Sequence, residues 1–548
     1  MIIFKSKRWL ENDEFKEILR VADYNGFEKG VGGVFVFNID KALRNGYGLE
    51  DVLKLIEDYG LEIDSSSLEE LKSLYKSLSI LVMWNSSNGF VELHVPTSID
   101  RRIKSVLRES GARFRGYRGD RVVYKLIPYK LWDLIGVLRG KGFEIIDRSG
   151  LLRDKKLPYK IELRKVELRP YQREALEAWI KNNGKGIVAL PTGSGKTLIG
   201  IAAIAQTSLR TLIITYTREQ MFQWREQIYK YTTAEPGLVG LIYSREKRLA
   251  PITITTYQSG FRNIKELSPF FDLLIVDEVH HLPADKFRYI AIHSISRYRM
   301  GLSATPVRED GRHEELFPLL GGIIYYRSAA ELANMGYLAR YRVLTIKVGL
   351  RKDEKKLFED LRKTYKVLSG GRSFNEVLDS ALKGDEKAKN ALRIHNQMRM
   401  ILAKSKSKID KAVEIAEKEY RRGSKIIIFT QYIEQAKEIA EKLNAYLLTG
   451  EVPVEKRKRV LEEFKNRDNG ILVVTTVGDE GLDIPDANVG IIVSGTGSRR
   501  QFIQRLGRIL RPKPNGVEAR LYEIVLEKTP EEYHARKRKR VDLDEYLY

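Results

Sequence analysis

The sequence predicts an α/β fold built on two parallel-sheet lobes. Three observations carry that expectation. Short apolar runs near 187–190, 211–215, 252–255, 273–276 and 299–302 alternate with helix-prone stretches. A second set recurs near 425–430, 471–475 and 489–493, with a helix expected over 433–443. The first run also turns, through the glycine-rich stretch 191–197, directly into a helix. Strand–helix–strand alternation of this kind builds parallel sheets, since each crossover returns over the face of the sheet. Two such units in one chain imply a nucleotide held in a cleft between lobes.

The organising stretch is Gly186-Ile187-Val188-Ala189-Leu190 followed by Pro191, Thr192, Gly193, Ser194, Gly195, Lys196 and Thr197. Its glycines let the backbone approach a phosphate chain, with N–H groups pointing inward at a helix N-terminus. Lys196 would lie against the β- and γ-phosphates, and the Thr197 hydroxyl would hold Mg²⁺. The full G-x4-G-K-[ST] pattern calls for glycine at 190, where this chain has Leu190. A flexible glycine turn without phosphate is the alternative; the strand before it and the helix after it favour a nucleotide site.

Phe271-Asp272-Leu273-Leu274-Ile275-Val276 reads as a buried strand that delivers Asp277, Glu278, Val279 and His280 to its carboxyl end. Ligands of such sheets bind at that end. Asp277 can hold Mg²⁺ alongside Thr197, and Glu278 can polarise an attacking water. Acidic pairs after strands also serve as helix caps; Lys196 upstream favours the catalytic role. Ser303-Ala304-Thr305 follows another apolar strand and offers two more hydroxyls.

Composition narrows the partner. The 548 residues suffice for three to four domains, and no apolar run approaches the ~18 residues needed to span a bilayer. The absence of Cys removes disulfides, thiolate chemistry, Fe–S clusters and Cys-type zinc sites. Near the start, Lys5, Lys7 and Arg8 followed by Glu11, Asp13 and Glu14 leave no apolar signal segment, so the chain reads as cytoplasmic with no membrane partner. Abundant Lys, Glu, Arg and Ile would suit a thermophile. A formal net charge of +23 points to a polyanion, nucleic acid first.

That charge is unevenly placed. Residues 1–80 hold 11 basic and 15 acidic side chains and show no chemical motif, which suits a small adaptor. Residues 81–166 reverse the balance, with 19 basic and 9 acidic, and mark a basic domain. In it, strands at Val91–Val95 and Val122–Leu126 flank a helix from Ile99 to Leu107. The turn Arg113-Phe114-Arg115-Gly116-Tyr117-Arg118-Gly119 follows that helix. Basic and aromatic side chains in alternation, Arg115 and Arg118 foremost, suit a surface that tracks a backbone and stacks bases. A merely solvated hairpin tip is the other reading. The first lobe is expected over 167–325 and the second over 326–548, with a charged, helix-prone insertion at about 351–410.

In chain order, Leu168-Arg169-Pro170-Tyr171-Gln172, P-T-G-S-G-K-T, Thr255-Thr256-Tyr257-Gln258, D-E-V-H and S-A-T resemble the motif series of superfamily 2 helicases. The second lobe continues the series with Ile428-Phe429-Thr430-Gln431 and with Thr475-Thr476 leading to Gly481-Leu482-Asp483. It closes with Gln504-Arg505-Leu506-Gly507-Arg508-Ile509-Leu510-Arg511. The likeness covers about residues 168–525. Within the superfamily the chain is similar to the XPB family of DNA-repair and transcription helicases in an archaeal form, through Arg308-Glu309-Asp310 just after S-A-T. By position and character, 81–166 and 351–410 resemble that family's damage-recognition-like and thumb-like modules.

The resemblance implies two RecA-like helicase lobes, ATP with Mg²⁺ as cofactor, and translocation 3′ to 5′ on DNA. It implies that Arg169 and Gln172 lie at the adenine, and that Gln504, Arg508 and Arg511 serve the γ-phosphate from the second lobe. Asp483 would link ATP state to grip on nucleic acid. A guanidinium suits that task because the phosphoryl-transfer transition state spreads charge over equatorial oxygens that Arg meets bidentately. Thr255, Thr256, Thr430, Gln431, Thr475 and Thr476 would hold phosphates of one strand without reading sequence. Arg308, Glu309 and Asp310 would act at duplex DNA, although acids repel phosphate and a salt-bridge role fits them equally. The DNA partners implied are single-stranded and forked or distorted duplex. The family also implies a nuclease partner, a monomer or heterodimer, and a nucleoid-associated location. The basic run 536–540 reads as a solvated or phosphate-touching tail. The alternatives are an RNA helicase, a duplex translocase with little strand separation, or a damaged-DNA-binding protein switched by ATP.

Overall fold

The computed structural model describes residues 1–282, 285–304, 312–475, 487–494, 518–532 and 535. The first lobe is built on an eight-stranded sheet. Its strands run, edge to edge, as 246–247, 239–243, 252–256, 211–215, 273–277, 298–303, 185–189 and 323–326. All neighbours pair parallel except the short 246–247 strand. The central strands are buried over their whole length, as continuous apolar runs such as Leu212–Ile214 and Leu273–Val276 require. Helices cover both faces, so every carboxyl end of the parallel strands opens on one edge.

The second lobe repeats the plan with six described strands, 341–348, 519–526, 489–492, 425–429, 470–474 and 446–448, all parallel. The strands expected in both lobes form within a residue or two of their expected bounds. The helix Ile433–Leu443 matches its expected range. Strands 239–243, 323–326, 341–348, 446–448 and 519–526 were not foreseen.

The segment after 351 forms three helices, Lys352–Ser369, Phe374–Leu382 and Glu386–Lys404, around a small core of Val377, Ala381, Ala388 and Ala391. The next helix, Lys406–Arg421, turns Ile409, Ala412, Ile415 and Ala416 into the core of the second lobe. It straddles the expected insertion boundary because those four positions follow helical spacing and meet the strand Lys425–Phe429.

At the other end, an antiparallel three-stranded sheet (3–6, 32–37, 22–28) and helices over 39–77 precede a five-stranded sheet. That second sheet runs 113–118, 121–126, 90–96, 80–85 and 145–147, with 113–118 on its edge. Ile99, Ile103 and Leu107, spaced four apart on the helix Thr97–Glu109, are buried against it. Apolar residues on both sides of residue 80, from Phe4 and Phe35 to Leu93 and Leu134, pack into one cluster. This region meets the first lobe where Trp132 Nε1 donates to the Ile295 carbonyl at 2.7 Å.

Candidate functional site

The strand Lys185–Ala189 ends at the wholly buried Leu190, and the helix Lys196–Thr207 begins six residues later. Between them Gly193 and Gly195 hold φ values of +86° and +79°, which a side chain rarely adopts. A Cβ at Gly195 would stand 2.6 Å from Gln172 Nε2, so it would displace that amide from the Ser194 carbonyl it bonds. Leu190 packs into the lobe core and donates its N–H to the Ser303 carbonyl at 3.0 Å. The loop therefore closes without the glycine that the full pattern places at 190.

Lys196 bends back over this loop. Its Nζ donates to the carbonyls of Leu190 (3.0 Å) and Pro191 (3.3 Å), and the residue is 9% exposed. Burial pulls its pKa below the ordinary lysine value, against the pull of Glu278 and Asp277. Ser194 Oγ is buried with no hydrogen-bond partner among the described residues. A buried ammonium over the loop, a buried Ser194 hydroxyl without a described partner and a glycine turn at positive φ fit a polyphosphate.

Gln172 supports the loop from outside: its Nε2 donates to the Ser194 carbonyl at 2.9 Å, and its Oε1 accepts from Arg169 N at 2.9 Å. Tyr171 Oη donates to the same Ser194 carbonyl at 2.6 Å. The Arg169 guanidinium lies 5.6 Å from the Tyr337 ring centre, and Tyr171 and Tyr337 pack at 4.9 Å between centres. Arg169 and Gln172, the expected adenine contacts, thus sit beside the loop with two tyrosines.

Across the sheet edge, Leu273–Asp277 delivers the acidic pair. Trp224 Nε1 donates to Asp277 Oδ2 at 2.8 Å and the Glu278 N–H donates to Oδ1 at 3.0 Å. Burial raises the Asp277 pKa from its ordinary value, opposed by the Trp224 hydrogen bond and then by the Lys196 charge. Glu278 takes φ +50° and ψ +50°, a left-handed conformation uncommon for a side-chain-bearing residue, and Tyr257 Oη reaches its carbonyl at 3.3 Å. His280 Nδ1 lies 2.9 Å from Ser303 Oγ and 3.4 Å from Glu278 Oε2, which ties D-E-V-H to S-A-T. Thr197 occupies the first turn of the loop helix, half-buried, at the same edge. Hydroxyl, carboxylate and ammonium together suit Mg²⁺ on phosphate oxygens.

The expected nucleic-acid threonines are placed differently. Thr255 is fully buried and its hydroxyl donates to the Ile242 carbonyl of the neighbouring strand at 2.6 Å. Thr256 Oγ1 caps the next helix, accepting from Ser259 N at 3.3 Å. Thr430, also fully buried, is bonded to Gln435 and lies 2.8 Å from Ser494 Oγ. Both hydroxyls are thus engaged inside the lobe, because inner strands of a sheet supply neighbouring acceptors and a buried hydroxyl takes them. Thr475 is 3% exposed. Gln431 is half-buried and its N–H donates to Ser494 Oγ at 2.9 Å.

The basic hairpin does face outward. Arg115 and Arg118 are exposed on the edge strand Arg113–Arg118, where each follows an exposed aromatic, Phe114 (53%) and Tyr117 (73%). Lys125 on the paired strand lies 3.2 Å from the Phe90 ring centre, and burial followed by Arg115, Lys265 and Arg113 lowers its pKa. Arg308, Glu309, Asp310, Thr476, Asp483, Gln504, Arg508 and Arg511 lie outside the described residues, as does the run 536–540.

Residues 165–308 match the family described as Type III restriction enzyme, res subunit, and residues 385–547 match the ERCC3/RAD25/XPB C-terminal helicase family. The DNA 3′-5′ translocase XPB2 of Sulfurisphaera tokodaii is 39% identical over 391 residues, 70% of this chain and 87% of that protein. The chain belongs to the XPB family of DNA 3′-5′ helicases and translocases. A second XPB relative, the DNA 3′-5′ helicase XPB of Kineococcus radiotolerans, is 33% identical, covering 68% of this chain and 62% of that protein. The XPB subunit of the general transcription and DNA repair factor IIH of Schizosaccharomyces pombe is 28% identical. It is covered to 46% of its length by 69% of this chain. As an XPB-family, superfamily 2 protein, this chain is an ATP-dependent enzyme with two helicase lobes.

Two residues beside the site of this XPB-family chain were not singled out from sequence: Trp224 and Tyr337. Each is an aromatic at a helix or loop position that linear pattern assigns to packing. Their polar tips or ring faces meet the site only through the sheet order. No helix among the described residues is long and apolar enough to cross a membrane.

Proposed function

We propose that this chain is an ATP-driven motor that moves 3′ to 5′ on DNA and opens duplex, in nucleotide excision repair, transcription or both. The observation that carries this reading is that the phosphate-loop strand Lys185–Ala189 and the acidic strand Leu273–Asp277 flank the strand Tyr298–Ser303 in parallel and so release Lys196, Asp277 and Glu278 at one sheet edge. The names of its relatives supply the polymer and the polarity.

In this reading Lys196 leaves the loop carbonyls for the β- and γ-phosphates, and Thr197 and Asp277 hold Mg²⁺. Bound magnesium would neutralise phosphate charge as it develops. Glu278 accepts a hydrogen bond from the attacking water and orients it in line. Gln504, Arg508 and Arg511 are assigned to the γ-phosphate from the second lobe, and Asp483 to coupling. Arg169 and Gln172 are assigned to the adenine, with the Arg169 guanidinium and the partly exposed Tyr337 ring beside it as stacking faces.

Closing and reopening of the lobes moves two grips on one strand relative to each other. Gln431, Thr475 and Thr476 supply one grip, Thr256 the other. Arg308, Glu309 and Asp310 act at the duplex, and Arg115 and Arg118 hold forked or distorted DNA. The reading includes a nucleoid-associated protein of the cytoplasm, monomeric or paired with a nuclease. The exposed Phe114 and Tyr117 favour one second reading, a damaged-DNA-binding protein switched by ATP with little strand separation.

ATP hydrolysis and strand separation measured together on single-stranded, forked and damaged duplex DNA, and on RNA, test the proposal. The motor reading predicts hydrolysis stimulated by DNA above RNA, and separation of a 3′-tailed fork. Tight binding of damaged duplex with no separation would replace it with the switch reading.

A further inference from the structure

Asp277 has each carboxylate oxygen held by a different donor. Oδ1 accepts the N–H of Glu278, which the backbone fixes, and Oδ2 accepts the indole N–H of Trp224 at 2.8 Å. Trp224 comes from neither the phosphate loop nor the acidic strand. It sits mid-way along the helix Arg218–Tyr231 and is 1% exposed. That helix is anchored at the end of the central strand Thr211–Thr215 by a capping box: Gln220 N donates to Thr217 Oγ1 at 3.2 Å, and Thr217 N to Gln220 Oε1 at 3.1 Å.

The far edge of the same indole is wedged against the loop helix. A Cβ at Gly200, one turn past Lys196, would lie 2.6 Å from Trp224 Cη2. One rigid ring therefore touches the helix that carries Lys196 and Thr197 with one edge, and bonds the carboxylate with the other. Its length sets the spacing between them. An apolar ring of similar shape would keep the wedge and lose the bond, so the two roles are separable.

We propose that Trp224 is a positioning residue for the metal site, holding the Asp277 carboxylate in the rotamer whose remaining lone pairs face the phosphate loop. The inference rests on the reading that Asp277 holds Mg²⁺. A carboxylate already oriented by an outer donor binds a cation without first being ordered, and loss of such a donor typically weakens metal affinity about 10–100-fold.

The test uses the full chain, a fluorescent N-methylanthraniloyl-ADP probe, and MgCl₂ titrated into it, with the probe's affinity in EDTA as reference. Trp224→Phe is expected to raise the half-saturating Mg²⁺ concentration about tenfold and to leave the EDTA affinity within about twofold. An unchanged Mg²⁺ midpoint, or parallel loss of affinity with and without metal, overturns the proposal in favour of packing alone. If circular dichroism shows Trp224→Phe unfolded, benzothienylalanine placed at 224, a ring of the same shape without the N–H, is read by the same two numbers. Asp277→Asn in the same titration separates the premise: if it leaves the Mg²⁺ midpoint unmoved, the assignment of Asp277 to the metal fails, whatever Trp224 does.

Discussion

Lys196 Nζ lies 3.0 Å from the carbonyl oxygen of Leu190, the residue that stands where the phosphate-loop pattern calls for its first glycine. The amine is held by the loop it serves, and the leucine that departs from the pattern is a wholly buried member of the lobe core. Restoring the pattern with Leu190→Gly therefore should not help. It removes a packed side chain and adds backbone freedom, and is expected to destabilise the lobe by about 3–5 kcal/mol. Urea unfolding and the KM for ATP check this: the midpoint falls and KM does not improve.

A second consequence concerns Arg299, buried with no acidic partner within hydrogen-bond reach among the described residues. Its guanidinium donates instead to the carbonyls of Ala291 (2.9 Å), Ser294 (2.7 Å), Ser296 (3.0 Å) and Leu319 (2.9 Å). Burial pulls its pKa down to about 10, so it remains charged at neutral pH. Arg299→Met leaves those carbonyls unmatched and is expected to cost about 3 kcal/mol. The variant's denaturant midpoint measures it; a wild-type midpoint would contradict the account.

Both residues illustrate what sequence carries and what it leaves out. The inner strands were legible because runs such as Leu273–Val276 are buried on both faces. The strand Tyr341–Val348 was not, since Arg342, Thr345 and Lys347 interrupt its apolar positions and it lies at the sheet's edge. The strand Val239–Tyr243 contains Gly240, where a Cβ would meet the Arg248 carbonyl at 2.2 Å; sequence shows a glycine, not the backbone that approaches it. At the site, Lys196, Asp277 and Glu278 were legible through their places after strands. Trp224 was not, because only the fold brings its indole to Asp277. The hydrogen bond of Thr255 to the Ile242 carbonyl was not legible either, because a hydroxyl at a strand end reads alike whether it faces solvent or the next strand.

The hairpin gives a third expectation. Arg115 and Arg118 are exposed beside Phe114 and Tyr117. If each arginine neutralises one phosphate, Arg115→Ala with Arg118→Ala should weaken duplex binding and reduce the slope of log affinity against log salt by about 2. Fluorescence anisotropy across a salt series checks it. An unchanged slope assigns the hairpin tip to solvent.

His293 supplies a pH dependence. It stacks on Tyr289 with 3.6 Å between ring centres and meets Phe90 edge-on at 5.3 Å, where the N-terminal region touches the first lobe. Burial, opposed by the Tyr289 carbonyl and aided by Lys265 and Lys125, holds its pKa below the ordinary 6.5. The unfolded chain then binds the proton more readily, so this contribution to stability is complete above pH 6.5 and is lost as pH falls toward the folded value. His293→Phe, which keeps a ring, is expected to flatten that part of the stability profile. Unfolding midpoints of both proteins between pH 7.5 and about pH 5 measure the difference.

The most direct measurement is steady-state ATP hydrolysis by Glu278→Gln beside wild type, each with and without forked DNA, with nucleotide binding measured on the same samples. The account predicts that the variant binds nucleotide as wild type does while its DNA-stimulated turnover falls at least about 100-fold, since the residue acts on the attacking water. Turnover at the wild-type rate, still stimulated by DNA, would contradict it.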